Sequence, residues 1–245
     1  YPHTLPGIRG NFLLGMISDA EDQPEDAVHF YTSYINAQPD ILTAETWTRI
    51  GDSYTALKRY PDALSAYLTA WQAPSLSDKN SIGMKVANAY QLTGETAKAL
   101  ETYQQIYENS TSIYTKSAAN LLAGRIEIAR GNTAEGYAYF QDSVNRFPET
   151  YDAFSALLTL IDAGQEVNEL QRGIINYNIN QHNLAIEAFD RYLEGDGLEK
   201  DIALYYKALA TRAYGLTQAS FASEQRLAAN RTGGTEWDKE AIALW

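Results

Sequence analysis

The chain has no cysteine among its 245 residues, which excludes disulfides and thiolate chemistry. Its three histidines, His3, His29 and His182, stand far apart and form no H-x3-H or H-E-x-x-H array, so no metal site is expected. Positive charge is scarce: 19 Lys and Arg against 31 Asp and Glu give a net charge of −12. Nucleic acid and anionic membrane need a basic stripe, so neither is expected as a partner. The acidic residues are spread along the chain and read as a solubilising surface. No apolar run approaches the ~18 residues that a membrane span requires. Runs of alternating β-branched residues are missing too, which leaves an all-α reading. Phosphate-binding loops are absent, since Gly233-Gly234 lacks the x4-G-K-[ST] frame. Carboxylates are abundant, but abundance is no catalytic signal, and nearly all belong on solvated helix faces. No catalytic residue and no cofactor-binding residue is therefore assigned.

What the chain does have is a repeat. Trp47, Ile50, Gly51, Tyr54, Ala63, Tyr67 and Ala70 form the pattern W-x2-I-G-x2-Y-x8-A-x3-Y-x2-A, which resembles the tetratricopeptide repeat. In such a unit the small residues Gly51 and Ala63 stand where two antiparallel helices approach closely. Trp47, Tyr54 and Tyr67 fill the space around that contact. Upstream, Leu14, Gly15, Ala27, Tyr31, Tyr34 and Pro39 take equivalent places, 36 residues earlier at Gly15. Downstream come Val86, Ala87, Tyr90, Ala99 and Tyr103, then Ala123, Gly124, Gly136, Phe140 and Pro148. The pattern weakens over 151–165. It returns with Gly173, Ala185, Phe189 and Tyr192, and again with Leu209, Ala210, Ala213, Ala222 and Ala229.

This spacing predicts an all-α, tetratricopeptide-like right-handed superhelix, an α-solenoid of about six helix-turn-helix repeats. About twelve or thirteen helices are expected, with one irregular helix near 151–163. Residues 8–150 hold four repeats. Residues 151–245 hold the irregular helix, two repeats and the start of a further helix, continuous with the same solenoid. Loops such as Lys58-Arg59-Tyr60-Pro61-Asp62, Thr93-Gly94-Glu95 and Arg130-Gly131-Asn132 separate the two helices of a repeat. The loop-like start at Tyr1 is consistent with a mature chain whose targeting segment has been removed. Glu236 to Trp245 reads as the opening of a further helix, so the parent protein is expected to continue.

Residues 171–193 carry a more specific resemblance. Arg172-Gly173-Ile174-Ile175-Asn176-Tyr177 is followed by Gln181, Ala185, Phe189 and Arg191-Tyr192-Leu193. This is similar to the superhelical region of bacterial soluble lytic murein transglycosylases, where Arg-Gly-hydrophobic-hydrophobic-x-Tyr precedes Gln-x3-Ala-x3-Phe-x-Arg-Tyr-Leu. The helix from Phe147-Pro148 to Leu158 resembles that family's irregular insert, while His182 stands where an aromatic is usual. The resemblance covers roughly residues 140–245. It implies an extracytoplasmic enzyme, in the periplasm or cell envelope, that acts on peptidoglycan glycan strands. Its lysozyme-like catalytic domain would lie beyond Trp245. No Glu-Ser dipeptide or Ala-Tyr-Asn motif occurs here, and neither Met16 nor Met84 is followed by Gln. No catalytic residue is carried over. Two other readings are a tetratricopeptide adaptor that binds a protein or peptide in its concave groove, and an assembly scaffold of an envelope complex.

Eighteen tyrosines invite a binding-strip reading, yet Tyr54, Tyr67, Tyr90, Tyr103 and Tyr192 occupy packing positions of the repeat. Tyr177 and Tyr214 fall instead on the predicted inner face, together with Glu45, Asp52, Met84, Asn88, Arg125, Ile174 and Lys207. Cations are sparse on that face, so a multi-cation clamp on a peptide carboxylate is not expected. The candidate binding residues are Arg125, Ile174, Tyr177, Lys207 and Tyr214. Two cations and two rings suit an extended polar ligand, a glycan or a peptide. The alternative is that Tyr177 and Tyr214 pack between neighbouring helices.

Overall fold

A computed structural model of the chain describes residues 4–74, 76 and 78–229, the last eight by their backbone alone. The expected further helix from Glu236 and the start at Tyr1 lie outside the described residues. Among those described there are twelve α-helices and no strand. They are α1 (Leu5–Ala20), α2 (Pro24–Ala37), α3 (Thr43–Ala56), α4 (Tyr60–Gln72), α5 (Lys79–Leu92), α6 (Thr96–Asn109), α7 (Ile113–Ala129), α8 (Thr133–Arg146), α9 (Tyr151–Asp162), α10 (Glu169–Asn178), α11 (His182–Glu194) and α12 (Lys200–Ala229). The chain divides into two compact units, Tyr1–Tyr139 and Phe140–Trp245.

One device closes five of the helical hairpins. The seventh residue after each of Gly15, Gly51, Ala87, Gly124 and Gly173 has positive φ: Asp22, Lys58, Gly94, Gly131 and Asn180. The next N–H then reaches back five residues, as in Gln23 to Ser18 O (2.8 Å), Arg59 to Tyr54 O (2.9 Å) and Gln181 to Asn176 O (2.8 Å). Glu95 and Asn132 do the same to Tyr90 and Glu127. This left-handed closure satisfies the last carbonyls of one helix and turns the chain into the next. Pro24 and Pro61 stand in the first turn of the helices that follow, where the missing N–H is harmless.

The same small residues also set the packing. A Cβ added to Gly15 would lie 2.5 Å from Tyr31 Cε1, and one on Gly173 would lie 2.6 Å from Phe189 Cδ1. Gly51 stands in the same relation to Tyr67. The aromatic sixteen residues later thus takes the space that the glycine leaves, and Ala63 packs in the cluster with Tyr67. The core of the first unit is therefore serial. One cluster joins α2, α3 and α4 through Tyr31, Ile50 and Ala66, and another joins α5, α6 and α7 through Ala87, Tyr103 and Ala123. In the second unit, Leu170, Ile174, Ala185, Phe189, Ala203 and Ala210 form one cluster from α10, α11 and α12.

The last expected hairpin is not one. Leu209, Ala210, Ala213, Ala222 and Ala229 all lie on the single 30-residue helix α12. The seventh residue after Ala210 is Thr217, whose branched Cβ resists the left-handed conformation that the other turns use. Its hydroxyl donates to Ala213 O at 2.9 Å and the helix runs on. The residue sixteen after Ala210 is Arg226, so the sequence also lacks the aromatic that would seat a second helix.

Candidate functional site

A groove of about 300 Å³ opens in the first unit between the α1–α2 turn and α3. Asp19, Asp22, Gln23, Pro24, Arg49, Asp52, Ser53 and Ala56 line it. Core packing holds its polar groups in place. Tyr31, seated against Gly15, donates its hydroxyl to Asp19 Oδ2 at 2.5 Å. Asp19 also accepts from Ser53 Oγ (3.3 Å) and faces Arg49 (3.5 Å). Arg49 in turn holds Glu45, one helical turn earlier, at 2.7 Å. The next repeat copies the arrangement: Tyr67, seated against Gly51, donates to Asp52 Oδ1 at 2.7 Å, and Lys85 Nζ pairs with the same oxygen.

Burial, reinforced by the neighbouring aspartate, pushes the ionisation of Tyr31 well above the usual phenol range. Burial does the same to Tyr67, opposed by its hydrogen bond with Thr55 and assisted by Asp52. Both phenols stay protonated donors at neutral pH, and each fixes a carboxylate at the groove. The result is a row of preset charges, Asp19, Arg49, Asp52 and Lys85, with Asp22 at the turn. It offers ionic and hydrogen-bonding contacts. Among the described residues no group of three or more His, Asp or Glu is arranged to hold a metal ion.

The tetratricopeptide-repeat family model matches residues 83–110, which span α5 from Gly83 through α6. A solved tetratricopeptide repeat protein from Parabacteroides merdae is 14% identical, with a TM-score of 0.52 over 94% of this chain and 82% of that one. The solved MamA protein is also 14% identical, with a TM-score of 0.52 over 78% of this chain and 96% of that one. The fold is an all-α solenoid of tetratricopeptide-like repeats. No curated protein matches the chain in sequence.

Within this solenoid the five candidate residues of the sequence divide. Arg125 is exposed on α7, in the first unit. The other four lie in the second unit. Ile174 is only 7% exposed and belongs to the core cluster between α10, α11 and α12. Its placement on an open face is corrected: Phe189 of α11 and Ala203 and Ala210 in the first half of α12 pack in the same cluster. Tyr177 is half-buried, with its ring 5.7 Å from Tyr206 in an edge contact and 5.7 Å from His182. Lys207, next to Tyr206, pairs with Asp190 of α11. Tyr214 is 39% exposed on α12.

Asp19, Arg49 and Lys85 were invisible to the repeat frame. Their signal lies in complementary charges about one repeat apart, Asp19 with Arg49 and Asp52 with Lys85. No helix among the described residues is long and apolar enough to cross a membrane.

Proposed function

We propose that the chain is a non-catalytic binding module that holds a basic peptide segment of a protein partner in the groove beside Asp19, Asp22, Arg49 and Asp52. The carrying observation is the preset row of charges. Tyr31 and Tyr67 fix Asp19 and Asp52 through core packing, so little side-chain freedom is lost when a ligand arrives. Carboxylates outnumber the cations lining the groove, which favours a segment bearing Lys or Arg. The test is selection of a displayed random peptide library on the whole chain, followed by titration of an enriched peptide. Asp22→Asn is the diagnostic variant, because asparagine tolerates the left-handed conformation that Asp22 holds. Enriched basic peptides that bind this variant at least fivefold more weakly support the reading. Failure to enrich any basic sequence, or equal binding by the variant, overturns it.

A second reading makes the module the superhelical part of a cell-wall lytic transglycosylase, in the periplasm or envelope. The resemblance over residues 171–193 supports it. Binding of purified sacculi to the chain, without release of anhydro-muropeptides, is the outcome it requires.

A further inference from the structure

The second unit contains a cavity of about 410 Å³ that is chemically unlike the groove in the first. Gln141, Val144 and Asn145 of α8, Leu160 of α9, the connector residues Glu166 and Val167, and Asn168 and Gln171 at the start of α10 line it. Its origin lies in the connector. The hairpin turns above all pass from helix to helix in three residues, but six residues, 163–168, separate α9 from α10. Gly164 at φ +66 closes α9, with Gln165 N–H returning to Leu160 O at 2.9 Å. Asn168 then caps α10, its side-chain oxygen accepting from Leu170 N (2.9 Å) and Gln171 N (3.3 Å). The intervening segment stands off the helices and leaves the space open.

We propose that this cavity binds a short extended segment of peptide main chain, with one aliphatic side chain set on the floor. This rests on the reading of the chain as a peptide-binding module, and adds a second, uncharged subsite to it. Four carboxamides, Gln141, Asn145, Asn168 and Gln171, surround an apolar floor of Val144, Leu160 and Val167. A carboxamide presents one acceptor and a pair of donors, the same groups that a peptide bond offers. The Oε1 atom of Gln171 is buried and has no hydrogen-bond partner among the described residues. A buried acceptor left unpaired carries a standing cost, which a ligand N–H removes once the Gln171 carboxamide turns into the cavity. Asn168 spends its oxygen on the cap and keeps its amide donors for a ligand carbonyl. No aromatic ring lines the cavity, so the stacking surface that a sugar ring uses is missing, and peptide is favoured over glycan. Glu166 at the rim excludes an acidic residue at that end. The volume lies within the ~300–1,000 Å³ range of ligand sites.

The test uses the whole chain, ¹⁵N-labelled, with the side-chain amide resonances of Gln141, Asn145, Asn168 and Gln171 assigned by substitution. The probes are acetyl-Ala-Val-Ala-amide and an N-acetylglucosamine tetramer. Saturable shifts of these amide resonances with the peptide, and none with the glycan, are expected. Gln171→Met keeps the side-chain length without the acceptor and should weaken peptide binding at least tenfold. Val167→Trp fills the cavity from the connector and should abolish the shifts with the helix content intact, which covers the case in which Gln171→Met perturbs the fold. Shifts with the glycan alone, shifts with neither probe, or shifts that survive Val167→Trp each overturn the proposal. A basic peptide that still binds the wild type and is weakened by Asp22→Asn shows that the groove of the first unit stands. Loss at this cavity alone therefore fails this subsite only, and loss of both fails the module reading as well.

Discussion

Gly51 and Tyr67 form a single packing unit: a Cβ on Gly51 would come to 2.5 Å from Tyr67 Cδ1. Tyr67 cannot retreat freely, because its hydroxyl is held by Asp52 at 2.7 Å and by Thr55 at 3.1 Å. Gly51→Ala therefore forces a shift of the helix pair, despite alanine's better helix propensity. A loss of roughly 1–3 kcal/mol is expected from overpacking, read as a lower denaturant midpoint at unchanged slope. An unchanged midpoint would show that the ring has room to move.

The equivalent tyrosines of successive repeats differ in one atom's surroundings. Tyr67 has partners for its hydroxyl, whereas the hydroxyl of Tyr103 is buried with none among the described residues. Tyr67→Phe should cost about 1–1.5 kcal/mol, and Tyr103→Phe should be neutral or stabilising by up to about 1 kcal/mol. Burial raises the Tyr103 phenol from 10.0 to about 12. A folded-state value above the unfolded one means that its contribution is fully present below pH 10 and is lost as pH climbs from there towards 12. Wild-type stability should thus fall more steeply than that of Tyr103→Phe across this window. Parallel curves in alkaline denaturant titrations would contradict the assignment.

The repeat was legible because hairpin geometry fixes its spacing. The small residue, the turn residue seven later and the aromatic sixteen later recur wherever two helices pack in this way, so Gly15, Gly51 and Gly173 announce their partners. The last hairpin was misjudged because small residues continued past Ala210, while the turn position had become Thr217. Small residues permit close packing but do not bend the chain. Ile174 falls on the inner face by the same count along its own helix that places Asp52 there, but α11 and α12 pack over that position in the second unit. The groove was only half legible. Asp52 falls on the inner face by counting, but its link to Lys85 depends on how neighbouring repeats stack, and no pattern within one repeat encodes that.

The turns themselves offer a clean comparison. Lys58 holds φ +58 at the position where Gly94 holds φ +85. A side chain in this conformation costs roughly 1–2 kcal/mol, partly offset because glycine loses more freedom on folding. Lys58→Gly should raise stability by about 0.5–1 kcal/mol. A Cβ on Gly94 meets nothing within 4 Å, so Gly94→Ala tests backbone strain alone and should lower stability by about 1 kcal/mol. Thermal unfolding of both variants checks the pair, and equal melting temperatures would refute the shared mechanism.

Tyr177 and Tyr214 entered as equivalent binding candidates, but their surroundings separate them. Tyr177 packs against the α10–α12 core cluster and meets the ring of Tyr206. Tyr214 has no ring contact among the described residues and stands 39% exposed on α12. Removing a half-buried ring forfeits much of its burial energy and leaves a gap beside Tyr206, so Tyr177→Ala should cost roughly 2–4 kcal/mol. Tyr214→Ala removes a more exposed ring and should cost less, about 0.5–1 kcal/mol. Chemical denaturation of the two variants reads the difference directly. If Tyr177→Ala were as stable as wild type, its ring would be free to meet a ligand. A large loss in Tyr214→Ala would instead mark that ring as part of the core.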